Sequence, residues 1–274
     1  MSITSDIRDG KILSAADRAE YTRTGLVKPN YRLPANNIAH MRSLLEETLT
    51  STARQRPESL VCPHVEGMNG LPKKITDQWL AICTRPEFVD AVSDVLGEDV
   101  MLWGSQLFCK PAGTGLEVPW HQDGHFWPIA PLATVTLWLA IDDVDAENSA
   151  MLYLPGSHAS RNLFPHAEQH SEESALNAQM LSDDIDLNNV ATDDLPAGHF
   201  SLHDVYLVHG SKPNRSNRRR AGFVIRYMPT TSHFDRESGI VGSHLVNTNF
   251  AERPLYLLRG KDRTGKTGVV DLRG

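Results

Sequence analysis

Two histidines and an aspartate open the chemistry of this chain: His121 and Asp123 bracket Gln122, and His209 follows 86 residues after the aspartate. Two imidazoles and one carboxylate make a three-ligand face that leaves a metal ion open positions, the arrangement of non-haem Fe(II) oxygenases. In an extended strand, residues i and i+2 point to one side, so His121 and Asp123 can reach one ion while Gln122 turns away. The third ligand must come from a distant strand. The apolar run Asp204-Val205-Tyr206-Leu207-Val208-His209-Gly210 reads as that strand, and a third, Ala221 to Tyr227, opens just after Arg220. Arginine grips a carboxylate in bidentate fashion, which a dicarboxylate cosubstrate such as 2-oxoglutarate requires. His-x-Asp alone is a weak signal; joined to a distant His and an Arg at this offset it becomes strong.

These residues sit among others in an order that resembles the phytanoyl-CoA dioxygenase family of Fe(II)/2-oxoglutarate oxygenases. Leu13 to Val27 is similar to the family's opening helix and turn into a strand. Trp120-His121-Gln122-Asp123, Glu147-Asn148 with Leu154-Pro155-Gly156-Ser157-His158, and His209-Gly210-Ser211 with Asn214, Ser216 and Arg220 follow, then Arg253-Pro254-Leu255 through Gly260-Lys261-Asp262. The resemblance implies that His121, Asp123 and His209 hold Fe(II), and that Arg220 and Ser211 meet the distal carboxylate of 2-oxoglutarate. Ser149 stands where a glycine is usual, and His199 follows Gly198 where an aspartate is common. Arg218 and Arg219 crowd Arg220, so the cosubstrate arginine is ambiguous by a position or two, with spacing favouring Arg220.

The implied reaction decarboxylates 2-oxoglutarate to succinate with dioxygen and hydroxylates an unactivated C–H bond; Asp123 argues against halogenation, because related halogenases vacate that ligand. The implied substrate is a small polar metabolite. The chain resembles aminoalkylphosphonate hydroxylases such as the 2-aminoethylphosphonate dioxygenases of phosphonate breakdown, with ectoine-type, amino-acid, antibiotic-tailoring and acyl-CoA hydroxylases as rivals. Outside this class stand a zinc hydrolase built on the same ligands and a non-catalytic cupin-like binding module.

Composition fits a globular enzyme. The 274 residues are 40% hydrophobic, enough for one substantial core. A net charge of -7 and a pI near 5.9 argue against a nucleic-acid partner. Cys62, Cys83 and Cys109 are few, odd in number and scattered, the usage of a reducing compartment. No stretch approaches the roughly 18 apolar residues of a membrane span, and neither a signal peptide nor a peroxisomal tripeptide is recognisable. The expectation is a cytoplasmic enzyme of one domain, residues 1-274, acting on a small molecule without nucleic acid or membrane; no self-complementary signature decides its oligomeric state.

The elements that must position the ligands divide into helices first and strands after. Ser14 can cap a helix over residues 15 to 23 that Gly25 ends. Residues 35 to 50 place Ile38, Met41, Leu45 and Leu49 on one stripe, and Pro86 to Leu96 repeats it with Phe88 and Val92. Residues 1-98 are thus a largely helical buttress. From residue 99 onward, short runs between Pro, Gly and Asn turns predict a mainly β fold with supporting helices: a double-stranded β-helix, the jelly-roll or cupin-like core over 99-274. The polar stretch from Leu163 to Asp194, residues 163-194, reads as a lid-like insertion.

Strand alternation nominates the pocket. Leu102, Gly104, Gln106, Phe108 and Lys110 share one face; Trp103, Ser105, Leu107 and Cys109 share the other. Thr134, Thr136, Trp138 and Ala140 form a mixed set suited to a lumen, whereas Val135, Leu137, Leu139 and Ile141 suit packing under helices. Lys110, Gln106, Thr136 and Trp138 therefore join Arg220 and Ser211, which the resemblance implies, as the cosubstrate-site residues. Asn69, Trp127, Tyr153, Arg161, Arg218, Arg219 and Arg226 are the substrate candidates. Arg226 shares the face of Arg220, but six residues along a strand, roughly 20 Å, keep the two off the same carboxylate. His158 reads as a structural turn residue, because a fourth ligand would close the open metal face.

Overall fold

The computed structural model describes residues 12–58, 60–181, 186–238, 240–242, 247–249 and 252–272. The helical part comes first, as the apolar stripes require. Helix α1 (Ala15–Thr24) starts at Ser14, which accepts from the Asp17 amide while the Asp17 carboxylate takes the Ser14 amide, a reciprocal cap. Gly25 ends it with φ +83°, and there a Cβ would run into the His158 ring. Strand β1 (Leu26–Val27) and helix α2 (Ala35–Ser51) follow, the helix burying Ile38, Met41, Leu44, Leu45 and Thr48. Beyond β2 (Leu60–Val61) lie α3 (Lys73–Cys83) and α4 (Pro86–Leu96). The sequence reading passed over α3, although Ile75, Trp79 and Ile82 repeat at helical spacing and are all buried.

The strands β3 (Val100–Lys110), β4 (Val118–His121), β5 (Ile129–Ala130), β6 (Val135–Ala140) and β7 (Met151–Tyr153) come next. They are followed by β8 (His166–Glu168), β9 (Ala178–Met180), β10 (Ala191–Asp193), β11 (Phe200–Asp204), β12 (His209–Ser211) and β13 (Arg220–Pro229). The short pairs β14 (His233–Phe234) with β5 and β15 (Ile240–Gly242) with β16 (Asn247–Asn249) precede β17 (Tyr256–Arg259) and β18 (Val270–Asp271).

Two sheets result. The larger runs β1-β11-β6-β13-β3-β17-β18, with β2 also on β3; the smaller runs β10-β7-β12-β4. Non-sequential neighbours in both sheets are the mark of the jelly-roll, and a cavity lined from both lies between them. On the outer face of the large sheet, Val135, Leu137, Leu139 and Ile141 join Phe223, Ile225, Leu107 and Cys109 in one core with the apolar faces of α2, α3 and α4. Trp138 and Ala140 lie on the opposite face, so the alternation of β6 is as its sequence predicts. Trp79 of α3 packs against Phe223 with ring centroids 4.6 Å apart.

Three strand expectations are corrected. The run Asp204 to Gly210 is no strand: β11 ends at Asp204, a turn follows in which the Leu207 amide returns to the Asp204 carbonyl and the Tyr206 amide to its carboxylate, and β12 begins at His209. The apolar Val205, Leu207 and Val208 are buried because this turn is covered, not because it is extended. Asp123 likewise leaves the strand, since β4 stops at His121 and Asp123 begins a 3₁₀ turn to Phe126. In β3, the register with β13 shifts between Arg226↔Gly104 and Tyr227↔Leu102, so Trp103 is the additional residue of a β-bulge. The bulge reverses the alternation. Met101 and Trp103 face the interior before it, and Gln106 and Phe108 face the cavity after it. Among the described residues no helix is long and apolar enough to cross a membrane.

Two outcomes test this packing. Phe223→Ala, at a fully buried position against Trp79, should cost about 3–5 kcal/mol in urea unfolding; a loss below about 1 kcal/mol would contradict the core described. Burial and, after it, the Arg253 guanidinium push the His64 imidazole from 6.5 down to about 3. The folded state then binds fewer protons than the unfolded chain between those values, so stability is full above pH 6.5 and falls as pH drops toward 3. One such group contributes a slope of up to about 1.4 kcal/mol per pH unit. His64→Gln should flatten the acid limb by that amount in unfolding series between about pH 6 and 4.

Candidate functional site

His121 at the end of β4 and His209 at the start of β12 are cross-strand partners. That pairing brings their rings to 4.2 Å between centroids. Asp123 closes the group, its Oδ1 3.6 Å from His121 Nε2 and 4.0 Å from His209 Nε2, and the three ligating atoms lie within 4.8 Å of one another.

The hydrogen bonds around the three suit a metal. His121 Nδ1 meets the Pro119 carbonyl at 2.8 Å and His209 Nδ1 meets the Leu207 carbonyl at 2.9 Å. A carbonyl only accepts, so each Nδ1 carries the proton and each Nε2 keeps a lone pair toward the shared space. Asp123 is held from behind: Thr136 Oγ1 donates to Oδ2 at 3.0 Å and His203 Nε2 lies 3.4 Å from the same oxygen. Burial pushes this carboxyl up, but the surrounding imidazoles of His121, His203 and His209 outweigh it, leaving the group well below the usual range. Burial, reinforced by His121, pushes His209 down. A neutral imidazole beside an ionised carboxylate is what a divalent cation needs. His203 escaped the sequence reading. Its signal was alternation, since His203, Thr136 and Arg226 form one row across the adjacent strands β11, β6 and β13.

At one end of the cavity stands Arg220, first residue of β13 and 2% exposed. Its Nε donates to the Ser149 carbonyl at 3.0 Å and its guanidinium lies 5.0 Å from the Trp138 ring centre. Gly222 makes room for that ring, because a Cβ there would overlap the indole. Burial lowers the Arg220 pKa to about 10, which still leaves it charged at neutral pH. Ser211 lines the same end, and its hydroxyl accepts from Lys110 Nζ at 2.7 Å. Lys110 is wholly buried and donates also to Ser149 Oγ at 2.9 Å and the Lys212 carbonyl at 2.6 Å. Burial and then Arg220 push its amine well below the ordinary lysine value. Ser149, where a glycine is usual, has φ +77° and spends its hydroxyl on this cluster.

The remaining candidates separate. Trp127, Arg226 and Gln106 line the cavity, with Arg226 donating to Gln106 Oε1 at 3.2 Å. Asn69 does not: it sits in a turn at φ +56° with its amide on the Val61 carbonyl. Tyr153 packs with Leu26, Met151 and Leu207. Arg161 pairs with Asp204 at 2.7 Å and covers Tyr206. Arg218 pairs with Asp145 and Glu147 on the surface and Arg219 with Asp142 and Glu46, so of the three consecutive arginines only Arg220 enters the cavity. His158 packs on Gly25 and meets the Thr22 carbonyl, away from the triad. Within 163-194, β8 and β9 pair as a hairpin and Ala175, Leu176 and Asn177 line the cavity; residues 182–185 of that stretch lie outside the described residues.

Residues 21–222 match the family model described as phytanoyl-CoA dioxygenase. A probable alpha-ketoglutarate-dependent hypophosphite dioxygenase of Stutzerimonas stutzeri is 33% identical over 143 residues, covering 52% of this chain and 49% of that protein. The peroxisomal phytanoyl-CoA dioxygenase of Homo sapiens is 26% identical over 82% of this chain and 71% of its own. The chain thus spans about half the length of the first of these relatives. Among solved structures, the non-heme monooxygenase ThoJ in its apo form superposes with a TM-score of 0.68 at 22% identity, over 93% of this chain and 86% of that one, a likeness of fold.

The support behind Asp123 generates an expectation. His203→Ala and Thr136→Val should each lower Fe(II) or Co(II) affinity by about 10–100-fold in anaerobic titrations; unchanged affinity in both would remove them from the metal site.

Proposed function

The chain belongs to the phytanoyl-CoA dioxygenase family, and from that membership and the geometry of the triad we propose that it is an Fe(II)- and 2-oxoglutarate-dependent hydroxylase of a small polar metabolite. The observation that carries this reading is one cavity with an open two-histidine, one-carboxylate face and, at one end, a buried arginine and serine suited to a carboxylate.

His121, Asp123 and His209 would hold the iron, which with bound 2-oxoglutarate and dioxygen supplies the oxidising power for C–H hydroxylation, 2-oxoglutarate leaving as succinate and carbon dioxide. Arg220 and Ser211 receive the distal carboxylate, and Lys110, by donating to Ser211 Oγ, directs the serine proton toward that carboxylate. Trp138 walls the same end under Arg220. Thr136 and His203 occupy Asp123 Oδ2, which leaves Oδ1 to the metal. Ala175, Leu176 and Asn177 of the 163-194 insertion act as a lid that excludes water while the substrate is held. Three buried free thiols support a reducing, cytoplasmic setting.

The specific substrate we propose is an aminoalkylphosphonate such as 2-aminoethylphosphonate. Arg226 supports it as an anion contact inside the cavity, and the similarity to a probable hypophosphite dioxygenase supports a phosphorus oxyanion. The decisive assay is succinate release from anaerobically prepared Fe(II) protein given 2-oxoglutarate and air, over phosphonates, amino acids, betaines, ectoine and acyl-CoAs. Succinate should rise with 2-aminoethylphosphonate, and Arg220→Ala should raise the KM for 2-oxoglutarate by about tenfold or more. Stimulation by another class alone would replace the substrate and keep the reaction, whereas stoichiometric zinc and oxygen-independent turnover would overturn the reaction itself.

A further inference from the structure

The cavity holds two further ionisable side chains, on opposite sides of one glutamine. Arg226 donates to Gln106 Oε1 at 3.2 Å, and Gln106 Nε2 donates to the Glu58 carbonyl at 3.2 Å. Neither Arg226 nor Glu58 touches the triad or the Arg220–Ser211 end through a hydrogen bond among the described residues, yet both line the cavity.

The positive side is built as a box. The Arg226 guanidinium lies 5.0 Å from the Trp127 ring centre and 5.9 Å from that of Trp103. Arg253 lies 5.4 Å from the same Trp103 ring and 5.0 Å from Phe234, and it too lines the cavity. Both side chains lie over Gly104, where a Cβ would stand in ordinary contact with Arg253 Nη1 and Arg226 Cδ at 3.7 and 3.9 Å. Arg226 Nε is buried without a hydrogen-bond partner among the described residues. Two guanidinium groups over aromatic faces, out of bulk water, hold an anion far better than a neutral group. This side also borders the metal, because Arg226 pairs across the sheet with Thr136, which donates to Asp123.

The negative side is Glu58, 1% exposed. Its Oε1 accepts the Leu116 amide at 3.2 Å, while Oε2 is buried with no hydrogen bond among the described residues and pairs at 3.9 Å with Arg56 Nε. A buried carboxylate oxygen without a donor is costly. Its charge also reaches Lys110 and Arg220, so a purely balancing role at the cosubstrate end is the alternative to exclude.

Resting on the reading of the triad as a hydroxylase centre, we propose that this cavity selects a zwitterion: its anionic group on Arg226 and Arg253, its ammonium group on Glu58, with the carbon chain between them beside the metal face. A phosphonate and a carboxylate share the anion chemistry; the doubled guanidinium favours the more highly charged phosphonate.

Calorimetry under anaerobic conditions on protein loaded with Fe(II) and 2-oxoglutarate tests it with four probes: 2-aminoethylphosphonate, ethylphosphonate, ethylamine and β-alanine. The first should bind at least about tenfold more tightly than either half-molecule, with β-alanine between. Arg226→Gln should weaken both phosphonates by about tenfold or more while Arg226→Lys restores part of the loss, and Glu58→Gln should weaken 2-aminoethylphosphonate but not ethylphosphonate. Ethylphosphonate binding as tightly as the zwitterion would overturn the proposal, as would a Glu58→Gln variant whose only change is a raised KM for 2-oxoglutarate. Iron content and 2-oxoglutarate binding, measured on the same samples, report on the hydroxylase reading separately, so failure of the zwitterion idea leaves that reading standing and the converse is equally visible.

Discussion

Everything at the centre of this molecule depends on the pairing of His209 with His121 across β12 and β4. Each imidazole reaches the backbone carbonyl two residues before it, that of Pro119 or Leu207, so both rings are anchored in the same way and both turn Nε2 to the shared space. The register then shifts between His209 and Ser211, which stands opposite Val118. A strand of three residues therefore carries an imidazole of the His121, Asp123 and His209 cluster at one end and the hydroxyl of Ser211 at the other. Aligning so many roles on so short a strand works only if both neighbours, β7 and β4, hold it in place, as they do.

Charge is the second organising constraint. The interior between the sheets carries Lys110 and Arg220 at one end, Arg226 and Arg253 at the other, and the carboxylates Asp123 and Glu58 among them. Burying charges is expensive unless they meet partners or ligands. The register of β3 and β13 sets two basic residues, Arg220 and Lys110, opposite each other at one end, and sets Arg226 opposite Gly104 six residues along β13. Guanidinium groups on either side of the Asp123 carboxylate, Arg220 at one end and Arg226 at the other, suit the anionic cosubstrate and the anion-bearing substrate of the proposed reaction.

The two faces of the large sheet have different tasks, and the contrast is visible in single strands. In β6 the aliphatic residues meet the helices and the others meet the cavity without a break. In β3 that rule holds only after the bulge at Trp103, which turns an indole inward to become the floor under two arginines. A bulge is one additional residue in one of two paired strands, so it exists only relative to the partner and leaves no periodic trace in β3 alone.

What the sequence by itself determined follows from local periodicity and from side-chain chemistry: the helices α1, α2 and α4, the two faces of β6, the inward Gln106 and Phe108, and the grouping of His121, Asp123 and His209 with Arg220 downstream, which the fold brings to one cavity. Lys110 and Trp138 were legible in the same way. Only the tertiary structure decided which arginines act inside. Arg161, Arg218 and Arg219 carry the same side chain as Arg220 and Arg226, but carboxylates outside the cavity hold them elsewhere. Asn69 and Tyr153 were likewise plausible by type and misplaced by fold. His203, Glu58 and Arg253 became visible only when distant strands closed around one cavity. The reason is physical: periodicity reports which way a side chain points within its own strand, whereas the partner it meets is set by pairings between segments far apart in the chain.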